Sequence, residues 1–435
     1  MALPAGLTWE VRTTGNANNG GAYINLIPGT SVDYSQQNAS QLSITDGACL
    51  FASVTLTSVI GGFTAGMVGN VIQIRAGGVN FVAGFYEIVL VNSANSVNLD
   101  RTPVAAGNGT GGLGEVGGAL ITPETFLLNG VGDNVCFVKS GTYAFTASRI
   151  QTNTSLRIFG YDISRTIAPT GNNRPLIQLG AFWIENNTYL QLENLRFTGS
   201  ATQLILGRKN LVICFNCYFE NTNNAGSRYC IFYDNTGATF SPSGSKFMDC
   251  EFVGTAGATS YGFKYVGQLA AATNSSNIAF LFCFFHDLSY GFQCDLATTG
   301  DCGELFFKCT FARIAVTAIE IPFAVANPYP VIVLFCSFYS AGSYFLRIQN
   351  KKGHLIYGNT FDSAVLVACY DSAPNFTWFI NSNDFWNNGA VVSGCFLDAN
   401  NIGLSPLWVN PAANDFNFGP GSPCIDNAIG IRLGV

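Results

Sequence analysis

A short motif, Cys-x-Phe, recurs along the chain and constrains its fold more than any other feature. It reads "NCYF", "DCEF", "LFCFF", "KCTF" and "LFCSF", and asparagine then replaces cysteine in "GNTF" and "SNDF". With "NLRF" as the first member, successive phenylalanines lie 22, 33, 33, 26, 27, 23 and 24 residues apart. Self-similarity at such spacings is typical of a solenoid, in which each repeat forms one coil.

The motif predicts a buried corner in each coil. Side chains at positions i and i+2 share one face of a strand, and Cys and Phe both favour burial. Equivalent residues of a wound parallel sheet stack at roughly 4.8 Å. We therefore expect a row of Phe219, Phe252, Phe285, Phe311, Phe338, Phe361 and Phe385 beside a row of Cys217, Cys250, Cys283, Cys309, Cys336, Asn359 and Asn383. Disulfides between stacked cysteines are the alternative, because Cα atoms at this separation can be bridged.

A second strand follows the motif after 7 or 8 residues in most units, as in "YGFQCD" and "TAIEIPF". The pattern predicts an all-β solenoid over 123–435, with about ten to twelve coils. The residues expected to point outward from the second strands are Lys264, Gln293, Glu320 and Leu346. Other outward positions are apolar, namely Phe282, Phe284, Phe306 and Leu334, and indicate faces covered by subunit packing or by loops of the same chain.

Residues 1–122 have a different pattern. Short alternating runs such as "VIQIR" and "GFYEIVLV" predict a small antiparallel β-domain. The glycine-rich segment 107–118, "GNGTGGLGEVGG", is expected to be a flexible hinge. It contains a formal GxGxxG, but no helical pattern follows, so a dinucleotide site is not expected.

Composition excludes several classes of protein. Only 11% of residues are charged, the net charge is −6 and no basic stripe occurs, so nucleic acid is not an expected partner. No apolar run is long enough for a membrane span, and the N-terminus lacks the pattern of a signal peptide. The 14 cysteines show no paired metal-binding spacing. No cofactor is implied, although Ca²⁺ stays open because turn Asp and Asn are plentiful.

The segments "FVKSGTYAFT", "LQLENLRFTG" and "SPLWVNPAANDFNFGPGSPCIDNA" resemble right-handed parallel β-helix proteins of the pectate-lyase-like superfold. The N-terminal "WEVRTTGNANNGGAY" and "GGVNFVAGFYEI" resemble the leader domains of such proteins in bacteriophage virions. The resemblance implies an elongated homotrimer displayed as a tailspike, fibre or capsid-surface decoration protein, with other virion proteins and host surface polysaccharide as partners. It also implies synthesis in the host cytoplasm and release by lysis. A chain ending soon after the last coil is expected to trimerise through its coils or its N-terminal domain.

Enzymes with this fold carry clustered carboxylates, and polysaccharide lyase or glycoside hydrolase activity is therefore the alternative function. The catalytic candidates are Asp295, Asp301, Glu304 and Glu320, acids that could share an outer face. The two histidines, His286 and His354, are predicted to be turn residues without a catalytic role. Isolated exposed acids are ordinary on a β-solenoid, so a structural and glycan-binding role is the favoured hypothesis.

Overall fold

A computed structural model provides the structure of the chain. It describes residues 8–15, 42–75, 77–130, 132–151, 155–163, 168–186, 188–207, 211–234, 244–255, 259–267, 275–296, 301–322, 330–349, 353–371 and 378–426. Two compact units divide the chain. The first comprises Met1–Phe145, Asn153–Gln178 and Glu193–Arg196, and the second comprises Thr146–Thr152, Leu179–Leu192 and Phe197–Val435.

The first unit contains a closed antiparallel barrel. Its strands, in the order in which they pair, are Leu42–Cys49, Thr55–Thr57, Ser96–Leu99, Gly84–Ser93, Val71–Arg75 and Gly109–Gly117. A short 3₁₀ helix, Ala65–Met67, contributes Met67 to the barrel core beside Phe63 and Tyr86. The barrel bears out the expected small antiparallel β-domain, since alternate residues of each strand fill this core.

The glycine-rich segment is not a hinge. Gly109–Gly117 is a strand that pairs with Leu42–Cys49 on one side and with Val71–Arg75 on the other. Glycine is needed here for close packing: a Cβ at Gly114 would lie 3.0 Å from side-chain carbons of Ile44 and Ile72. The prediction of a flexible hinge over 107–118 is therefore wrong for this strand. Glycine makes a linker flexible, but in a strand it also lets neighbouring side chains pack closely against the backbone.

The first described strand, Thr8–Val11, lies outside the barrel. It pairs in parallel with Asn134–Lys139, which in turn pairs with Leu156–Tyr161. The predicted division at residue 122 thus places this strand in the wrong architecture. A seven-residue helix, Pro123–Asn129, also belongs to the first unit; its N-terminus is capped by the Thr122 hydroxyl, and its Phe126 packs edge-on against Trp9 at 5.4 Å.

A buried charge cluster in the first unit centres on Arg12, whose side chain is 1% exposed. Arg12 donates from Nε to Glu10 Oε1 at 2.9 Å and from Nη1 to Glu87 Oε2 at 2.9 Å. Lys139 Nζ donates to the same Glu87 oxygen at 3.2 Å and to Asp100 Oδ2 at 2.9 Å. Glu87 and Asp100 come from the barrel, whereas Glu10 and Lys139 come from the parallel strands, so the cluster joins two kinds of structure within this unit.

Three parallel sheets form the coils, and the described strands confirm the predicted all-β solenoid. In coil order we name them sheets A, B and C. Sheet A has 11 described strands: Thr8–Val11, Asn134–Lys139, Leu156–Tyr161, Leu190–Glu193, Val212–Phe215, Lys246–Met248, Ser275–Leu281, Asp301–Phe307, Ile332–Leu334, Leu355–Tyr357 and Phe379–Asn381.

Sheets B and C have 10 described strands each. Sheet B consists of Thr142–Ala144, Leu176–Gly180, Arg196–Gly199, Tyr218–Asn221, Glu251–Val253, Phe284–His286, Thr310–Ile314, Ser337–Ala341, Thr360–Ala364 and Asp384–Trp386. Sheet C consists of Arg149–Gln151, Ile184–Asn186, Gln203–Gly207, Ser227–Asp234, Thr259–Gly267, Tyr290–Leu296, Thr317–Ile321, Tyr344–Ile348, Val367–Tyr370 and Val392–Ser393.

The repeated phenylalanines lie on the inner face of sheet B. Ring centroids of successive members are 4.6–5.4 Å apart along Phe197, Phe219, Phe252, Phe285, Phe311, Phe338, Phe361 and Phe385. A second row, on sheet A, includes Phe247, Phe280 and Phe306, stacked at 5.0 and 5.2 Å. Phe306 was expected to point outward; it points into the core, because the adjacent Phe307 occupies the outer position of that strand.

A left-handed residue forms the bend between sheets A and B in each coil of the second unit. The residue before each ladder position has a positive φ of 48–69° at Asn216, Asp249, Phe282, Lys308, Phe335, Gly358 and Ser382. Asn, Asp and Gly adopt this conformation readily, whereas Phe282, Lys308 and Phe335 do so at a cost. The compact Cys or Asn that follows leaves space for the sharp bend.

The ladder changes its chemistry along the stack. Cys217, Cys250, Cys283, Cys309 and Cys336 are buried free thiols, and burial raises the pKa of the Cys250 and Cys283 thiols. Inter-coil disulfides are absent among these five. From Cys336 onward amide side chains take over: Cys336 N donates to Asn359 Oδ1 at 2.7 Å, Asn359 N to Asn383 Oδ1 at 2.8 Å, and Asn383 N to Asn401 Oδ1 at 2.9 Å.

A short segment covers the end of the ladder. Asn401 continues the asparagine row, and Ile402 forms a parallel bridge with Asp384. Ile402 N donates to Asn383 O at 2.8 Å, and Phe385 N donates to Ile402 O at 2.9 Å. Beyond it, Trp408–Asn410 and Asp415–Phe418 pair as an antiparallel hairpin around the 3₁₀ turn Pro411–Ala413. The remaining helical elements are the 3₁₀ turn Gly171–Asn173 and the helix Pro423–Asp426.

Candidate functional site

The outer face of sheet C carries an ordered strip of aromatic and charged side chains. Two registered rows form it, and we call them together the sheet C strip. One row is Tyr229, Tyr261, Tyr290, Thr317 and Tyr344, and the other is Phe232, Lys264, Gln293, Glu320, Arg347 and Tyr370. Residues of each row follow one another from coil to coil, because parallel in-register pairing brings equivalent positions side by side.

Aromatic stacking defines one part of the strip. The rings of Tyr229 and Tyr261 have centroids 5.0 Å apart, and those of Tyr261 and Tyr290 are 4.8 Å apart and nearly parallel. Lys264 Nζ lies 4.8 Å from the centre of the Tyr261 ring, a cation–π contact. Burial lowers the pKa of Lys264, and the nearby carboxylates of Asp295 and Glu320 oppose that change.

Glu320 is the acid at the centre of the strip. It occupies the outer row as predicted from the sequence, but its side chain is enclosed, with 3% of the residue exposed. Arg347 Nη1 donates to Oε1 at 2.6 Å, and Gln293 Nε2 donates to Oε2 at 2.7 Å. Both carboxylate oxygens therefore already accept a hydrogen bond, and the one from the Arg347 cation is of the stronger, charge-assisted kind.

The remaining catalytic candidates lie apart from this centre. Asp295 is exposed on sheet C, two residues after Gln293 in the same strand. Asp301 and Glu304 belong to a strand of sheet A instead. Glu304 is 1% exposed and lies on the same side of its strand as the core residue Phe306, so the expectation of an outer position is wrong for it. Only Asp295 and Glu320 share the sheet C surface.

One outer position was assigned to the wrong residue. Leu346 was expected to follow Glu320 in the outer row, but it pairs with Ile319 and is buried in the core. Arg347 takes the outer place and supplies the cation that holds Glu320. Eight residues separate Phe338 from the inward Leu346, whereas seven separate Phe285 from the inward Phe292, so the register differs by one residue between these coils.

The histidines are enclosed and are not simple turn residues. His286 is 6% exposed, with Nδ1 2.6 Å from Asp287 Oδ2 and Nε2 2.9 Å from Glu251 Oε1. Arg313 also contacts Asp287 in a bidentate pair, from Nε at 2.7 Å and Nη2 at 2.8 Å. His354 is buried, and its Nδ1 accepts a hydrogen bond from Val331 N. The network of His286, Asp287, Glu251 and Arg313 belongs to sheet B, whereas His354 directly precedes a strand of sheet A; both are separate from the sheet C strip.

The described ranges contain neither a metal-binding cluster nor a membrane-spanning helix. No group of three or more His, Cys, Asp or Glu side chains there is arranged to hold a metal ion. None of the described helices has the length and apolar character required to cross a membrane. The described surface that combines aromatic, cationic and amide groups in register is the sheet C strip.

Comparison with protein-family profiles and with curated proteins gives no match for this chain. Among solved structures, the chain is similar to the catalytic domain of a GH87 alpha-1,3-glucanase in complex with nigerose, at 10% identity and a TM-score of 0.35, over 84% of this chain and 91% of that one. It is also similar to the pectate lyase Pel9A, at 12% identity and a TM-score of 0.43, over 73% and 83% of the two chains.

A third similar structure is the tailspike protein gp49 from Pseudomonas phage LKA1. It shares 9% identity and a TM-score of 0.32 over 80% of this chain and 63% of that one. Similarity at these levels carries no argument about activity or origin. The assignment of the parallel β-helix fold depends instead on the strand pairing of sheets A, B and C described above.

Proposed function

We propose that this chain is a structural, carbohydrate-recognising β-helix of a bacteriophage particle, assembled as a homotrimer. The observation that carries the recognition role is the sheet C strip, in which the partly exposed Tyr229 and Tyr290 stack on either side of Tyr261. The partly exposed cations Lys264 and Arg347 lie in the neighbouring row. Aromatic rings pack against the apolar faces of sugars, and charged and amide groups bond their hydroxyls. A repeat of side chains along the coils suits a repeating polymer.

Binding without cleavage is favoured over hydrolysis by the state of the acids. Glycoside hydrolysis needs two carboxyl groups that flank the scissile bond, one of them free to donate or accept a proton. Here Glu320 is held by Arg347 and Gln293, and Glu304 faces the core of another sheet. Of the two candidates on sheet C, Asp295 is exposed and Glu320 is not.

The recognition role can be tested with purified capsular and O-antigen polysaccharides immobilised on a sensor surface. The unaltered chain should bind one of them saturably, and size-exclusion chromatography should show the polymer intact afterward. Tyr290→Ala and Arg347→Met should each weaken binding about tenfold, the loss expected for one stacking or charged contact. Tyr218→Ala, on sheet B, is the matched control and should leave binding unchanged. Equal binding by all variants would refute the assignment to this strip.

The virion and trimer parts of the proposal are supported by the sequence resemblance and by the apolar outer face of sheet A. Outward residues there include Leu281, Phe307, Leu334 and Tyr357, all partly exposed. Light scattering in reducing buffer should give three times the 46.4 kDa chain mass. An antibody against the chain should label intact particles in electron micrographs of host lysates. A monomeric mass, or label confined to unassembled protein, would contradict the respective part.

A second candidate function, β-elimination of an acidic polysaccharide, is favoured by Lys264. Its lowered pKa suits a general base, and it lies beside Tyr261 and the carboxylates of Asp295 and Glu320. A lyase would release products with a new carbon–carbon double bond, detectable by ultraviolet absorbance. Lys264→Met should abolish that absorbance while leaving polymer binding measurable. Absence of any absorbance increase with the unaltered chain on pectate and alginate would remove this candidate for those substrates.

A further inference from the structure

A cavity of about 560 Å³ lies between the 408–418 hairpin and the outer face of sheet B. Phe284 and Thr310 line it from the sheet, and Ala413, Asn414, Asp415, Phe416 and Asn417 line it from the hairpin. From its geometry we infer that this cavity is a binding site for the ring of a neutral, hydroxyl-rich sugar. Its volume falls within the range of small-molecule sites and accommodates one or two sugar rings.

The walls of the cavity are held in place before any ligand binds. Trp408 Nε1 donates to Asp362 Oδ2 at 2.8 Å, and the Trp408 ring stacks on Phe418 at 4.9 Å. Phe416 meets Phe284 edge-on at 5.8 Å and packs on Tyr339 at 5.6 Å. The hairpin is therefore attached to sheet B through both strands, and a preformed site loses little entropy when a ligand binds.

One wall is an aromatic surface of fixed orientation. The Phe284 ring stacks on the His286 imidazole at 4.2 Å, and that imidazole is held between Glu251 and Asp287. Phe284 thus cannot rotate away without breaking the stack. A flat apolar wall of this kind suits the C–H face of a pyranose ring, which is the apolar side of an otherwise polar ligand.

The polar groups of the cavity are mainly acceptors. Asp415 Oδ1 accepts from Asn417 N at 3.1 Å and from Asn417 Nδ2 at 2.7 Å. The opposite atom of that amide, Asn417 Oδ1, is enclosed and has no hydrogen-bond partner in the described structure. An ionised carboxylate offers about four lone-pair sites, so Asp415 keeps acceptor capacity for a ligand hydroxyl beyond its two bonds to Asn417. Hydroxyl donors are therefore the groups that this site is built to receive.

The charge of the lining selects against ionised ligands. Among the described residues that line the cavity, Asp415 alone is ionisable, so an acidic sugar would be repelled. Arg313, a cation of sheet B, is already bonded to Asp287 and to Pro411 O. Because Asp415 already accepts two N–H groups, an ammonium ligand would find it partly occupied. A neutral sugar donates hydrogen bonds from its hydroxyl groups to the acceptors and is neither repelled by Asp415 nor dependent on it for charge pairing.

This inference stands apart from the proposed function, because the cavity lies on sheet B and the strip on sheet C. Saturation-transfer difference NMR with maltose, cellobiose, glucuronate and glucosamine tests it on the full chain. Maltose or cellobiose should give a signal that titrates in the millimolar range and exceeds the signals of the charged sugars. A stronger signal from glucuronate or glucosamine, or none from either neutral sugar, would overturn the inference.

Two matched variants assign the signal to the cavity. Ala413→Trp places a large side chain in the opening and should reduce binding at least tenfold. Ala412→Trp adds the same bulk at the neighbouring exposed position of the 3₁₀ turn, outside the lining, and should leave binding unchanged. Tyr290→Ala in the strip should also have no effect. Retained binding in Ala413→Trp, with circular dichroism matching the unaltered chain, would exclude this cavity.

Discussion

Replacing Asn383 tests whether the amide ladder stabilises the last coils. Asn383 is fully buried, and its Oδ1 accepts from both Asn359 N at 2.8 Å and Asn359 Nδ2 at 3.0 Å. Its Nδ2 donates to Ile356 O and Asn381 O, each at 2.9 Å. Asn383→Ala removes the acceptor of Asn359 N and of one N–H of Asn359 Nδ2, whose other bond to Val333 O is kept, and each buried N–H left unpaired costs about 1–3 kcal/mol. We therefore expect a loss of about 2–5 kcal/mol.

Asn383→Cys is the informative comparison, because cysteine occupies this ladder position in earlier coils. There Cys309 N contacts Cys336 Sγ at 3.4 Å, a weaker acceptor than an amide oxygen. The cysteine variant should therefore be intermediate between alanine and asparagine in stability.

Hydrogen exchange measured by mass spectrometry reports the stability of individual segments. A local measurement is needed because long repeat arrays do not unfold in two states. Peptides spanning 355–386 should exchange about 30-fold or more faster in Asn383→Ala, since each 1.4 kcal/mol is tenfold. Peptides of the barrel, such as 84–99, serve as an internal control and should be unchanged. Equal protection in the alanine variant, or lower protection in the cysteine variant than in the alanine variant, would refute the reasoning.

Three further predictions follow from the same structure, at Asp249, Phe311 and Asp384. Asp249 has a φ of 52° at the bend between sheets A and B, so Asp249→Ala should lower the melting temperature and cost about 1 kcal/mol, whereas Asp249→Gly should be neutral or stabilising. Phe311→Ala opens the core row and should cost about 3–5 kcal/mol in thermal unfolding, while Phe307→Ala on the outer face should cost clearly less. Burial raises the pKa of Asp384 from 3.8 to about 6, so its contribution to stability is present below about pH 4 and is lost as pH rises through 6. Asp384→Asn should therefore gain melting temperature over the unaltered chain at pH 7 and lose that advantage at pH 4; an equal difference at both pH values would contradict the assignment.

The repeat could be predicted because it depends on residues that are close together in the sequence. Cys-x-Phe defines an inner face by strand alternation, and equal spacing between coils turns that face into the observed phenylalanine stack. The register failed where neighbouring residues were both apolar. Phe306 and Phe307 are equally hydrophobic, so the sequence did not show which one faces the core, and the bend at Lys308 decides it.

The sequence pattern does not indicate contacts between residues that are far apart along the chain. Nothing near Arg12 indicates that it meets Glu87, because the two are 75 positions apart and belong to different kinds of structure. The cavity likewise depends on a contact across 46 positions, the bond from Trp408 to Asp362 that attaches the 408–418 hairpin to sheet B. The strip was partly visible in the row of Lys264, Gln293 and Glu320, but Arg347 was missed through a one-residue shift.

The segment that covers the end of the asparagine row also occupies the edge of the last described strand of sheet B. A parallel sheet ends in unpaired N–H and C=O groups, and such an edge can recruit a strand from another molecule. Ile402 occupies these groups at Asn383 and Phe385 as a further strand would, and Asn401 occupies the next amide position. The protein thus covers this sheet edge with its own backbone. We expect a variant unable to place Ile402 there to expose an edge that can act as a template for fibre growth.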